Sequence, residues 1–472
     1  MIAVDGLSRF ARLPERLLAV SDPEAVRAAL GRHVPELGSG ELELRECKVE
    51  RVRLKRGSLT ALYRLTLAGE GPGQEHIELL GEILAPGASE PAPGPNRASF
   101  GADGWRCYLP ELRLDLGLPP REPALPALPT LTDPTRARKL LEQAIRACSP
   151  AYSELHIEAA RPQVVRAKGS RCTVLYELEF APEDRDRGAP SPVVAKTYRG
   201  DKGENAYAGM RALWSSKLGP SGTVSIAEPL AFVPELNVLV QGPVQGKTTL
   251  KGLIKSAFAA GTPEALGELS AYVEKTAVGL AELHTSGVEY GKTVTWTDKL
   301  SDVRETTERL TVFAPELAGA AAPLLARLEE REAEHPADPP VPTHGSFRPN
   351  QVLLSAGEIG FIDFDRFGQA EPAVDVASFR TAVRDAGRLD PEQDGAARGE
   401  SARSARLVQL DELCDRFLAR YGAGAPISRE RVELWEALGL FTTVLHCWTK
   451  MEAGLEARLE FLRHHLRTSG LA

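Results

Sequence analysis

Two stretches of the chain alternate apolar and polar positions in the same way. They are VRLKRGSLTALYRLTL, Val52 to Leu67, and VRAKGSRCTVLYELEF, Val165 to Phe180. A period of two, interrupted by a Gly-Ser turn, predicts a pair of antiparallel strands with one face in a core. Arg53/Arg166, Lys55/Lys168, Thr60/Thr173, Leu62/Leu175, Tyr63/Tyr176 and Leu65/Leu178 match at a constant offset. Upstream, SDPEAVRAALGRHVP from Ser21 parallels TDPTRARKLLEQAIR from Thr132. Each opens an amphipathic helix, with Ser or Thr expected to accept an early helix N–H and Pro suited to the first turn. Two copies predict duplication of one subdomain; a solenoid needs three or more.

From Val164 to about Gln241 the pattern is mostly strand, with one helix near Asn205–Lys217. Beyond Lys247 the apolar spacing becomes helical. GELSAYVEKTAVGLAELHTSGV is one such segment and ends at Ser-Gly; the tail from Leu410 is a run of further amphipathic helices. APGASEPAPGPN, Ala85 to Asn96, predicts a loop, and GLPPREPALPALPTL, Gly117 to Leu131, a stiff linker. A boundary is expected near residue 130.

Hydrophobic residues make up 43% and charged residues 26% of the 472, which is ordinary for a globular protein. A net charge of −8 argues against a general nucleic-acid binder, whose affinity rests on cations that neutralise phosphates. The six cysteines form no CxxC pair, so buried free thiols are expected in place of a zinc knuckle or disulfide framework. The first residues break their apolar run at Asp5 and do not form a signal peptide, and no apolar run reaches the ~18 residues that span a bilayer. These features predict a cytoplasmic protein with no membrane partner.

The candidate chemistry lies in VPTHGSFRPNQVLL, Val341 to Leu354, followed by IGFIDFDRFG. An apolar strand delivers Asp363, with Asp365 two residues on, and PVVAKTYRG places Lys196 after another apolar strand. From about residue 150 onward the chain resembles the aminoglycoside phosphotransferase and choline kinase-like family. That resemblance implies transfer of the γ-phosphoryl of ATP to a small-molecule hydroxyl with Mg²⁺. It also implies an α+β, two-lobed protein kinase-like fold. The expected layout is a β-rich N-lobe over 131–241 and a helical C-lobe with the catalytic and metal loops over 242–472. A duplicated, degenerate N-lobe-like α+β subdomain over 1–130 precedes them.

The resemblance assigns roles residue by residue. Lys196 meets the ATP phosphates, and Glu204, opening the next helix, is its expected carboxylate partner. The turn RAKGSRCT, Arg166 to Thr173, stands where the family covers the phosphates. Backbone from Gln241 to Val244 forms the connector expected to bind adenine edges. The Gly246-Lys247-Thr248 run is a decoy for a Walker A motif, because three residues and not four separate Gly242 from Gly246. Gln351 takes the place of a metal-binding amide, with the adjacent Asn350 as the alternative if the loop register differs, and Asp363 and Asp365 are the Mg²⁺ carboxylates. His344, His284 and Asp375 are expected to brace the loops. In the first repeat the offset sets Ile83 opposite Lys196, with Glu82 beside it, so that copy is expected to bind no ATP.

One residue departs from the family pattern. Ser346 stands where the family has the aspartate that orients the acceptor hydroxyl and takes its proton. A positioned base is worth ~10²–10⁴ in rate, whereas positioning and charge neutralisation supply most of the acceleration of phosphoryl transfer. Arg348 is placed to stabilise charge on the transferring group, and Asp365 or a group of the substrate to accept the proton. The leading expectation is an ATP/Mg²⁺-dependent small-molecule phosphotransferase with an atypical loop. The alternatives are a pseudokinase that binds nucleotide as a scaffold or regulator, and a kinase acting on Ser/Thr of a peptide partner.

Overall fold

The structure is a computed structural model that describes residues 6–55, 58–68, 74–96, 98–120, 125–186, 188–200, 202–220, 222–388 and 400–472. The Arg56–Gly57 part of the first hairpin turn, Arg121–Ala124 of the proline-rich stretch and the first five residues, Asp5 included, lie outside the described residues. The chain is α+β and groups into two compact units. One comprises 1–121, 296–334 and 437–472; the other comprises 122–295 and 335–436.

In the first unit, β1 (Glu43–Lys55), β2 (Ser58–Ala68), β3 (Gln74–Ile83), β4 (Gly94–Pro95), β5 (Arg106–Leu109) and β6 (Leu114–Gly117) form one sheet in the order β1-β2-β3-β6-β5-β4. The alternation seen in the sequence sets one face inward: Leu59, Ala61, Tyr63 and Leu65 of β2 are buried. The helix Pro23–His33 covers that face with Val26, Ala29 and Leu30. Helices Trp296–Thr311, Glu316–Glu334 and Leu455–Thr468 belong to the same unit.

In the second unit, β7 (Ile157–Lys168), β8 (Arg171–Phe180), β9 (Val193–Tyr198), β10 (Ser225–Ile226), β11 (Pro229–Val233) and β12 (Val238–Gln241) come first in the chain. All but β10 form a five-stranded sheet, β11-β12-β9-β8-β7. Helix Pro134–Cys148 packs Ala137, Leu141 and Ile145, spaced by four, on its inner face. A helical part follows, built on Leu250–Ala260, Pro263–His284, Ala373–Gly387 and Glu400–Gly422. Short strands β13 (Thr248–Thr249), β14 (Thr293–Val294), β15 (Val341–Thr343), β16 (Val352–Ser355), β17 (Glu358–Phe361) and β18 (Gly368–Ala370) make two small sheets, β10-β17-β16-β13 and β14-β18-β15. A β-rich part followed by a helical part is the order expected of a kinase-like fold.

The duplication is visible in both sheets. β1-β2-β3-β6-β5 and β7-β8-β9-β12-β11 share one topology. A register shift at Leu44/Glu46 recurs at Ile157/Ala159. Tyr63 Oη donates to Val20 O at 2.8 Å, and Tyr176 Oη to Leu131 O at 2.6 Å. The repeat also extends further than the matched hairpins. LPELRLDLG, from Leu109, and VPELNVLVQ, from Val233, each make a 3₁₀ turn closed by a left-handed residue, Arg113 at φ 50° and Asn237 at φ 48°.

Two expectations are corrected. The helix caps are Asp22, accepting from Glu24 N at 3.0 Å, and Asp133, accepting from Arg136 N at 2.7 Å. Ser21 and Thr132 instead donate back into the preceding turns, to Leu17 O and Leu128 O. Proline at the first helical position makes the residue before it the cap. Second, sheet pairing and not chain offset decides what stands opposite Lys196. Thr173 pairs Lys196 and its counterpart Thr60 pairs Glu82, so Glu82, not Ile83, occupies the lysine position of the first copy.

Candidate active site

β9 runs between β8 and β12 in the middle of the second unit's sheet. Its apolar face sends Val193, Ala195 and Thr197 into the core; by the period of two, Lys196 and Tyr198 share the other face. Lys196 Nζ lies 3.0 Å from Asp363 Oδ1 and 3.4 Å from Asp365 Oδ1. Tyr198 Oη donates to the same Asp365 oxygen at 2.8 Å. From the β7–β8 hairpin, Arg171 Nη1 lies 3.7 Å from Asp365 Oδ2. Three strand-borne donors therefore converge on the second carboxylate.

The His-Gly-Ser loop and the Asp-Phe-Asp loop are held side by side. β15 pairs β18, Ile362 N donates to Gln351 O at 3.0 Å, and His344 Nε2 donates to Ile362 O at 3.0 Å. Gly345 has φ 75°, and a Cβ there would collide with the carbonyl oxygen of Arg366, so glycine is required on both counts. Asp363 also has φ 75°, a conformation costing a non-glycine residue ~1 kcal/mol or more. Such strain recurs where a side chain must be aimed.

Asp375, fully buried at the start of helix Ala373–Gly387, accepts from His344 N at 2.6 Å and from Phe347 N at 3.4 Å. His284 Nε2 reaches the same carboxylate at 3.3 Å, while its Nδ1 accepts from Tyr421 Oη at 2.7 Å. His344, His284 and Asp375 thus form the brace expected from the sequence.

Burial by itself would raise the Asp363 carboxyl. The Lys196 ammonium, by charge and hydrogen bond, and the charges of His344 and Arg171 outweigh it and hold the group at about 2. The Tyr198 hydroxyl is pushed well above its ordinary range by burial and by the Asp365 carboxylate, so it acts only as a donor.

Gln351 is buried. Its Nε2 donates to Ser346 Oγ at 3.4 Å, and its Oε1 has no hydrogen-bond partner among the described residues. A buried, unpartnered amide oxygen is costly and calls for a ligand. Gln351, Asp363 and Asp365 carry hard oxygen donors of the kind that Mg²⁺ takes. No cluster of three or more His, Cys, Asp or Glu side chains able to hold a metal occurs among the described residues.

Other expected site residues are placed as follows. Ser346 is half-buried and Arg348 is exposed beyond it. Glu204 is exposed on the first turn of helix Lys202–Trp214; the ion pairs of Lys196 go to Asp363 and Asp365, and none to Glu204. That helix instead meets the metal loop through Asn205 Nδ2, which donates to Phe367 O at 3.3 Å. Gln241 closes β12 and is buried, and Val244 is half-buried in the irregular segment 242–247. Tyr198 and Arg171 were not singled out from the sequence. The strand period would have found Tyr198, which sits two residues from Lys196 on the same face.

Residues 189–408 match the family model described as phosphotransferase enzyme family. The resemblance is to that family. Its span is shorter than the two thirds of the chain inferred from the motifs; it takes in Lys196, Glu204, Gln241, Val244, Ser346, Arg348, Gln351, Asp363 and Asp365, and leaves out the turn 166–173. No curated protein matches the chain. Among solved structures, choline kinase LicA from Streptococcus pneumoniae is 14% identical, covers 71% of this chain and 99% of its own, and has a TM-score of 0.43. A spectinomycin phosphotransferase, APH(9)-Ia, is 12% identical, covers 72% and 99%, and scores 0.42. A glucosamine kinase is 11% identical, covers 90% and 91%, and scores 0.47. Among the described residues, no helix is long and apolar enough to cross a membrane.

Proposed function

We propose that the chain is an ATP- and Mg²⁺-dependent phosphotransferase that moves the γ-phosphoryl group to a hydroxyl of a small molecule. The observation that carries this reading is the unpartnered Gln351 Oε1, buried beside Ser346 in a loop bound to the Asp363 loop. Gln351, Asp363 and Asp365 would hold the metal, which when bound neutralises phosphate charge. Lys196, on a rigid central strand, offsets further charge at little ordering cost. Tyr198 and Arg171 fix the Asp365 carboxylate. Arg348 stabilises charge on the transferring group. Ser346 positions the acceptor hydroxyl and removes no proton from it.

The second reading is a nucleotide-binding pseudokinase, and Ser346 is the observation behind it. The test is Mg²⁺-dependent ATP binding by thermal shift and γ-phosphate release, for the wild type and Asp363→Ala. Binding and release that both disappear in Asp363→Ala support the phosphotransferase. Binding without release under any acceptor supports the pseudokinase, and absence of ATP binding ends both readings.

A further inference from the structure

Two arginines lie next to Ser346 along the chain and in the fold, and neither has a salt bridge among the described residues. Arg348 lies two residues after it. Arg366 lies against the residue before it: a Cβ added at Gly345 would be 3.2 Å from Arg366 Cβ. Both arginines are exposed, and neither side chain makes a hydrogen bond or ion pair with a described residue. Partial burial of the Arg348 guanidinium, and then the charge of Arg366, lower its pKa, while Asp385 acts the other way. The arginines of the neighbouring helices behave differently. Arg380 and Arg384 are bound to Glu436, and Arg431 is bound to Glu371. In a chain with a net charge of −8, two arginines against one loop make a local positive patch suited to an anion. Where the family pattern sets a carboxylate between such positions, this chain has a neutral serine, which removes the one local charge that would repel an anion.

Resting on the phosphotransferase reading, we infer that the acceptor is anionic, a hydroxyl compound bearing a phosphomonoester or carboxylate that Arg366 binds, with Arg348 beside it left to the transferring group. Guanidinium groups suit both anions by bidentate hydrogen bonding. The inference also supplies the missing base. The acceptor hydroxyl oxygen bonds to the γ-phosphorus and the bond to the ADP oxygen breaks, its electron pair leaving with ADP. The hydroxyl proton passes to the acceptor's own anionic group, which for a phosphomonoester titrates near ~6.

The test uses the full chain and four compounds: glucose 6-phosphate, glucuronate, glucose and glucosamine. ADP release with Mg²⁺-ATP is measured for each. The same compounds are titrated by thermal shift with Mg²⁺ and a non-hydrolysable ATP analogue, so that one readout is independent of turnover. The expected result is binding and stimulation by an anionic compound at least about tenfold better than by glucose, with glucosamine the poorest. The phosphate and carboxylate arms then show which anion is preferred. Arg366→Gln is expected to raise KM for the anionic compound about tenfold with a smaller change in kcat, and Arg366→Lys to recover part of the loss. Equal or better binding of glucose or glucosamine, no binding of either anion, or an unchanged KM in Arg366→Gln overturns the inference. If Mg²⁺-ATP itself does not bind, the phosphotransferase reading fails, and that outcome is separate from a chain that binds ATP and ignores anions.

Discussion

Replacing Asp375 by alanine should loosen the catalytic loop by a predictable amount. The carboxylate is completely buried and accepts from two backbone amides, His344 N at 2.6 Å and Phe347 N at 3.4 Å, and from His284 Nε2 at 3.3 Å. Alanine leaves three buried donors without an acceptor. A buried donor left unsatisfied costs ~1–3 kcal/mol, and removing one partner of a buried ionic set costs ~3–5 kcal/mol. The 3.4 Å bond is weak, so a total of about 3–5 kcal/mol is expected. With two compact units, a single global unfolding energy is poorly defined, and the measurement should be local. Native-state hydrogen exchange at His344 and Phe347 provides it. At 1.4 kcal/mol per tenfold change, their protection should fall by about 10²–10³·⁵. Asp375→Asn keeps one carbonyl oxygen and should lose less. Protection at both amides within threefold of wild type in Asp375→Ala would show that the brace lies elsewhere and refute this account.

Other consequences can be checked directly. Asp363 is held low, so its contribution is present above about pH 4 and is lost as pH falls towards about 2. Lys196→Met removes the main opposing charge and leaves burial to raise the carboxyl. The gap in melting temperature between wild type and Lys196→Met should therefore be widest near neutrality and close between about pH 4 and 2; a constant gap contradicts the pairing. Among the thiols, Cys47, Cys107, Cys172, Cys414 and Cys447 are buried and Cys148 is half-buried. Burial pushes Cys47 up to about 11 and Cys107 up to about 12. A disulfide reagent at neutral pH should modify about one thiol quickly in the native protein, and all six only in denaturant; fast reaction of three or more would disprove the packing.

How much could be seen in the sequence depended on whether a local pattern determined the outcome. Strand alternation around Tyr63 and Tyr176 and the helix Pro263–His284 follow from short periods, and the His-Gly-x and Asp-x-Asp loops from the resemblance to a kinase-like family. The pairing of Lys196 did not. Sequence order made Glu204 its neighbour, but in the fold Lys196 meets Asp363 and Asp365 from far along the chain. Non-local pairing also hid Tyr198 and Arg171, whose shared target, Asp365, lies well over a hundred residues away. The Asp caps were missed for a local reason: the serine and threonine are good caps by type, but the proline fixes the cap one residue later.

The same distinction between offset and pairing changes the meaning of the first repeat. By offset the lysine position held Ile83, a neutral loss. By register it holds Glu82, which accepts from Ser58 Oγ at 2.7 Å and pairs Asp115 across β6. Glu82 and Asp115, the latter ion-paired with Arg106, stand where a phosphate-binding strand would carry its cation, so this copy has a carboxylate in place of the lysine. That copy also has β4 and turns between β3 and β5, where the second has helix Lys202–Trp214. The common sheet topology, the recurrent β-bulge and the paired Pro-Glu-Leu turns were kept because they build a core. The lysine and the helix belong to phosphate chemistry and were free to go once one copy supplied it. On this argument Glu82→Lys should leave the first copy without ATP affinity, since restoring one cation restores neither the helix nor a metal loop.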